Sequence, residues 1–117
     1  MITVKSAVDN SEIKKYLSLD NDELVYFEAK DGDALLGGGA ADISGEILVL
    51  KSEIPMLNDG IIKAFINFFD RRDIKELFSF NTLIFNDLKK ARFKEAEGKC
   101  TLNTDEFFGN PCKNDKQ

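Results

Sequence analysis

Glu46-Ile47-Leu48-Val49-Leu50 and, after a break, Ile61-Ile62-Lys63-Ala64-Phe65-Ile66-Asn67-Phe68-Phe69 are the two runs on which the fold of this chain turns. The first is a short, continuous apolar run bounded by turn residues, the pattern of a strand buried on both faces. The second is apolar almost all round, with Lys63, Asn67 and Asp70 as one narrow polar stripe at helical spacing, which predicts a deeply packed helix. Pro55 and Gly60 bracket the break between them. Leu77-Phe78-Ser79-Phe80 then returns as a strand, and a strand-helix-strand crossover places it parallel to the first with a right-handed connection. A second helix starts after Asn81 or Thr82 as its cap and turns Ile84, Leu88 and Ala91 toward the sheet. The stretch therefore sets a helix N-terminus beside strand ends, a natural place for an anion.

Working outward, Ile2-Thr3-Val4 reads as an opening strand and residues 11–19 as a short helix with Ile13, Tyr16 and Leu17 on one face. Leu24-Val25-Tyr26-Phe27 begins the next strand, Asp31-Gly32 is a hairpin turn signal, and Ser44-Gly45 supplies another turn. Gly37-Gly38-Gly39 inside a strand pattern marks a bulge, a bend or a close backbone approach. Downstream, residues 95–102 read as a closing strand, with Phe107-Phe108 anchoring the chain over the sheet and residues 111–117 as a frayed tail. The expected class is α/β (α+β): a mixed, mainly antiparallel twisted sheet with one parallel crossover and a second C-terminal helix, in a single domain over residues 1–110.

Composition narrows the functions. The 117 residues hold 43% apolar and 32% charged side chains, as an ordinary globular domain does. Lys63 and Asn67 interrupt the longest apolar run, well short of the roughly 18 to 20 residues that span a bilayer. The start, Met1-Ile2-Thr3-Val4-Lys5, lacks a secretory pattern, so a cytoplasmic location with no membrane partner is expected. A net charge of -5 argues against nucleic acid as a partner. There is no histidine and only Cys100 and Cys112, so one chain supplies neither a structural zinc set nor Ser-His or Cys-His nucleophilic machinery, and both thiols are expected reduced. Lys89, Lys90, Arg92 and Lys94 cluster where the second helix ends, either as a dipole-stabilising terminus or as a phosphate patch.

This order of elements resembles the GNAT superfamily of acyl-CoA N-acyltransferases over nearly the whole chain, in arrangement more than in motif letters. The resemblance implies acetyl-CoA or another acyl-CoA as cofactor and a small-molecule or peptide amine as acceptor. It aligns the family's pyrophosphate loop, Arg/Gln-x-x-Gly-x-Gly/Ala, with Leu57-Asn58-Asp59-Gly60-Ile61-Ile62, where only the central glycine is kept. Asn58, Asp59, Gly60, Ile61 and Ile62 are thereby expected to hold the diphosphate through main-chain N–H groups. Asp59 opposes this by about 1–4 kcal/mol at roughly 4 Å. Lys51, Ser52 and Glu53 are expected to meet the pantetheine arm. The family's Tyr-x-x-x-Gly-Phe pattern falls on Leu88-Lys89-Lys90-Ala91-Arg92-Phe93, so its proton-donating tyrosine is replaced by Leu88. Glu46 and Glu53 are the remaining candidates for a general base. About fifteen residues, from Asp9 to Glu23, stand where the family builds its acceptor wall, so a homodimer in which a second subunit supplies that wall is compatible with the chain, as is a noncatalytic module that keeps the sheet and loses the chemistry.

Overall fold

The computed structural model describes residues 1–7 and 10–113. The order is β1 (Ile2–Ser6), α1 (Asn10–Leu17), β2 (Val25–Asp31), β3 (Ala34–Ala41), β4 (Ile47–Ser52), α2 (Leu57–Arg71), β5 (Glu76–Ser79), a 3-10 turn (Thr82–Ile84), α3 (Phe85–Lys90), β6 (Lys94–Ala96), β7 (Lys99–Asn103) and α4 (Thr104–Lys113). This is the mixed α/β architecture that the pattern predicts, with one difference: the sheet is split. An antiparallel meander β1-β2-β3-β4 lies beside a second sheet ordered β5-β7-β6. The two meet through one parallel bridge between Glu46 and Phe78, where the Phe78 amide donates to the Gly45 carbonyl at 3.0 Å.

The apolar runs decide the layers. Ile61, Ile62, Phe65, Ile66 and Phe69 of α2 are buried, and they join Phe27, Ala29, Ile47 and Leu50 of the meander to Leu77, Leu88, Phe93, Cys100 and Leu102 of the second sheet in one core. Lys63 and Asn67 face solvent as their spacing predicts. On the other face of the meander, Ile13 and Leu17 of α1 pack on Tyr26 and Ala40. Strand side chains alternate between faces, and Gly38 and Gly39 of β3 let a helix approach on each, while a Cβ at Gly37 would meet Ser52 Cβ of β4 at 2.8 Å. A Cβ at Gly38 would lie 2.3 Å from Ile13 Cδ1, and one at Gly39 3.0 Å from Phe65 Cε2. The triplet thus serves close packing.

Several local readings need correction. The closing strand over residues 95–102 is the hairpin of β6 and β7, turned by Glu97 and Gly98 at φ 55° and 80°. Positive φ at both central residues is a type I′ turn, and a glutamate there gives no turn signal. The first hairpin turns on Gly32 and Asp33, because Asp31 still pairs with Ala34. Residues 104–113 continue as α4, capped by Asn103, whose Oδ1 accepts from the Asp105 amide at 2.9 Å; residues 114–117 of the expected tail lie outside the described residues. Finally, α2 begins at Leu57, so the segment read as a loop, residues 57–62, is helical.

Gly45 and Gly60 therefore have different reasons to be glycine. Gly45 has φ 106°, and a Cβ there would stand 2.5 Å from the Glu76 carbonyl oxygen, whereas a Cβ at helical Gly60 would only touch Val4 Cγ2 at 3.7 Å. In urea unfolding, Gly45→Ala should lose more than about 2 kcal/mol, and Gly60→Ala should gain about 0.5–1 kcal/mol. Comparable losses at both would mean that Gly60 is not an ordinary helical position.

Candidate functional site

Parallel strands β4 and β5 touch at one end and then part, leaving a splay that opens toward their C-terminal ends. A β-bulge shapes its wall. Val49 pairs with Ala40 and Ile47 with Ala41, so Leu48 is the extra residue on β4. The Leu48 carbonyl accepts from Asn81 Nδ2 at 2.9 Å. Asn81 also caps the 3-10 turn, its Oδ1 accepting from the Leu83 amide at 3.1 Å, and its own amide donates to Ser79 Oγ at 3.1 Å. Ser79 is fully buried. The sequence identified Asn81 as a cap; its second role, a strut across the splay from the end of β5 to β4, was not read.

The two candidate carboxylates do not share a site. Half-buried Glu46 stands at the closed apex, its carbonyl accepting from the Asp42 amide at 2.8 Å. Glu53 lies past the other end of β4, roughly 20 Å away by the rise of an extended strand. There Lys51, Ser52 and Glu53 are held by α1 and the following turn. Tyr16 donates its hydroxyl to Glu53 Oε2 at 2.6 Å, and the Lys51 ammonium lies 4.5 Å from the Tyr16 ring centroid while donating to the Tyr16 carbonyl at 3.1 Å. Ser52 Oγ donates to the Ile54 carbonyl at 2.9 Å. Burial, reinforced by the hydrogen bond and charge of Glu53, pushes the Tyr16 phenol up to about 12. Tyr16 was read only as a core-facing residue of the short helix.

At the start of α2 the expected anion cradle is partly occupied by the chain itself. The amides of Leu57 and Asn58 donate to the carbonyls of Ile54 and Pro55 at 2.9 and 3.1 Å. Gly60, the fourth helical residue, is the first whose amide the helical ladder takes up. Asp59 is paired with Lys63 at 2.8 Å, and Asn58 Nδ2 donates to Asp87 Oδ2 at 3.1 Å, which ties α2 to α3. Ile61 and Ile62 are fully buried, so their side chains serve the core and meet no ligand. Outside this turn lies a groove of about 500 Å³ lined by Pro55, Met56, Asp59, Asp87 and Lys90.

In the α3 region, residues 88–93 carry the pattern that the resemblance aligns with the family tyrosine and glycine. Leu88, in the place of the family tyrosine, is fully buried. Arg92, in the place of the family glycine, has φ 77°, the left-handed conformation for which glycine is preferred. The cations near the end of α3 disperse: Lys89 pairs with Glu95 at 2.9 Å, Lys90 faces the groove, and the Arg92 guanidinium lies 5.4 Å from the Phe107 ring centroid. Cys100 is a buried free thiol whose pKa burial raises; the side chain of Cys112 lies outside the described part.

The residues can be tested against the acyl-CoA that the resemblance implies. A bulged strand edge facing an open splay fits an extended arm with amide groups. The groove beyond it fits a diphosphate poorly, since it presents two carboxylates and one ammonium, that of Lys90, with no ion pair among the described residues. No protein-family model matches this chain, and no curated protein matches it in sequence. The fold itself is shared with an N-acetyltransferase of known structure. It is similar to the crystal structure of the ribosomal-protein-S18-alanine N-acetyltransferase from Escherichia coli, with a TM-score of 0.65 over 89% of this chain and 94% of that one, at 12% sequence identity. At that identity the likeness establishes the fold.

The Tyr16 phenol offers a direct check of the β4 end. With Tyr26→Phe to leave one tyrosine, absorbance titration should place the midpoint near pH 12, and Glu53→Gln should lower it. Because the folded-state value lies above the unfolded one, this group's contribution to stability is complete below about pH 10 and is lost as pH rises toward 12. A midpoint near 10 would mean that the Tyr16–Glu53 bond does not form.

Proposed function

We propose that this chain is a GNAT-type N-acyltransferase that accepts an acyl-CoA, acetyl-CoA as the first choice, along the edge of β4 and passes its acyl group to an amine. The observation that carries the reading is the splay of parallel β4 and β5 beside the Leu48 bulge, on a fold shared with an N-acetyltransferase. The reaction class is aminolysis of a thioester: the amine nitrogen forms the new amide bond, the carbon–sulfur bond breaks, and the proton lost by nitrogen balances the one gained by the thiol. The β4 edge would align the arm, Asn81 would hold the splay open at a fixed width, and Lys90, which lines the groove at the start of α2, would be the cation available to the phosphates. Leu88 has no proton to give, so protonation of the leaving thiol falls to solvent or to the acceptor. The short segment around α1 leaves room for a peptide amine as acceptor, or for a second subunit as wall.

A second reading has its own support. Buried Leu88, the carboxylates Asp59 and Asp87 at the groove, and the engaged amides of Leu57 and Asn58 are what a noncatalytic module on this fold would carry.

Thermal unfolding with acetyl-CoA tests the cofactor, because a ligand of the folded state raises the melting temperature with dose. The acyltransferase reading expects a saturable rise at millimolar ligand, and thiol release in the presence of amines or N-terminal peptides. It also expects Asp59→Asn and Asp87→Asn each to tighten binding by about fivefold, or roughly 1 kcal/mol, by removing a charge near the phosphates. A shift without thiol release for any amine would favour the noncatalytic module, and no shift at all would reject the cofactor.

A further inference from the structure

At the edge of the meander opposite β4, β1 is an edge strand: it pairs with β2 along one side and, among the described residues, has no strand along the other. The ladder alternates, and the Ala7 amide donates to the Tyr26 carbonyl at 3.0 Å, so the amides of Val4 and Ser6 point outward from the sheet. Val4 packs into the core beneath α2; on the same face of β1, Ser6 opens onto a groove of about 410 Å³ shared with Phe27, Asn67, Phe68, Arg71 and Arg72. The Arg72 guanidinium lies 3.6 Å from the Phe68 ring centroid and donates to the Phe68 carbonyl at 3.3 Å, which fixes its position. Neither Arg71 nor Arg72 forms an ion pair among the described residues, although neighbouring Asp70 and Asp73 do, both with Lys75. Lys75 gathers Asp70, Asp73 and Asp105, which leaves two adjacent guanidiniums beside the strand edge without a carboxylate partner among the described residues.

We propose that this edge and groove bind an extended acidic peptide segment of a partner protein. The segment would add to β1 through main-chain hydrogen bonds at Val4 and Ser6, the mode in which backbone pairing gives affinity and side-chain pockets give specificity. Its carboxylates would meet Arg71 and Arg72, whose planar donors suit bidentate pairing with carboxylate. A second copy of this chain is the poorer occupant, since Ile2-Thr3-Val4-Lys5-Ser6 carries no carboxylate and brings Lys5 toward the arginines. The proposal is independent of acyl transfer, because it uses neither the splay nor the α2 N-terminus.

The test is two-dimensional amide NMR of the intact chain, titrated with a capped eight-residue peptide of alternating valine and glutamate, and with its glutamine and lysine counterparts. The glutamate peptide should perturb residues 3–7 and 67–72, with an affinity that falls as salt rises. R71Q/R72Q should weaken it by at least tenfold. Ser6→Pro, which removes an outward amide while sparing the β1–β2 ladder, should weaken it comparably. Unchanged spectra for the rest of the chain would show both variants folded. Equal binding of the glutamine peptide, perturbation elsewhere, or no binding at millimolar peptide would overturn the proposal. So would a concentration-dependent dimer abolished by Ser6→Pro, which would assign the edge to self-association.

Discussion

A single main-chain hydrogen bond, from the Phe78 amide to the Gly45 carbonyl, sets the geometry of the whole molecule. It exists because Gly45 takes a positive φ and carries no Cβ, so β5 can come down beside the start of β4. From that contact the strands diverge, and everything placed in the gap or around it follows: the Leu48 bulge, the Asn81 strut, the turn at residues 53–56, and the entry of α2 over the core.

Most of this architecture could be read from residue patterns, because the energetic demands were strong and local. The run from Ile61 to Phe69 has to be a buried helix, for no other element hides so many large apolar side chains while leaving Lys63 and Asn67 wet. Ser44-Gly45 and Asn81 announced a turn and a cap through side-chain and backbone chemistry that has few other uses. What stayed hidden was either weakly encoded or tertiary. Glu97 in a left-handed turn and Arg92 at a helix end are conformations that their side chains do not favour, and only the surrounding packing imposes them. Gly60 resembles a turn residue in sequence and so masks the true start of α2 at Leu57, because the helix tolerates a glycine there. That Gly38 and Gly39 abut side chains of helices could not be seen without knowing which residues lie opposite.

The candidate site was legible in outline and less so in chemistry. The β4 end and the α2 start follow one another beside the splay, but Glu46 and Glu53 fall at opposite ends of β4. Glu53 turned out to be one half of a hydrogen-bonded pair with Tyr16, and Asn58 one half of a bridge to Asp87. Such pairings join residues far apart in the chain and leave no periodic trace. The first-turn amides of α2 were treated as open donors; two of them close on carbonyls of the preceding turn, which accounts for the absence of a capping side chain at Met56.

The two sheets share almost no backbone pairing, yet the phenylalanines of α2 lie against residues from both in one continuous apolar interior. Separation of either sheet would expose that interior to water at once, so neither half is a stable folding unit on its own. A single cooperative melting step is therefore expected, with the splay an opening in the hydrogen-bond network between parts joined by one core.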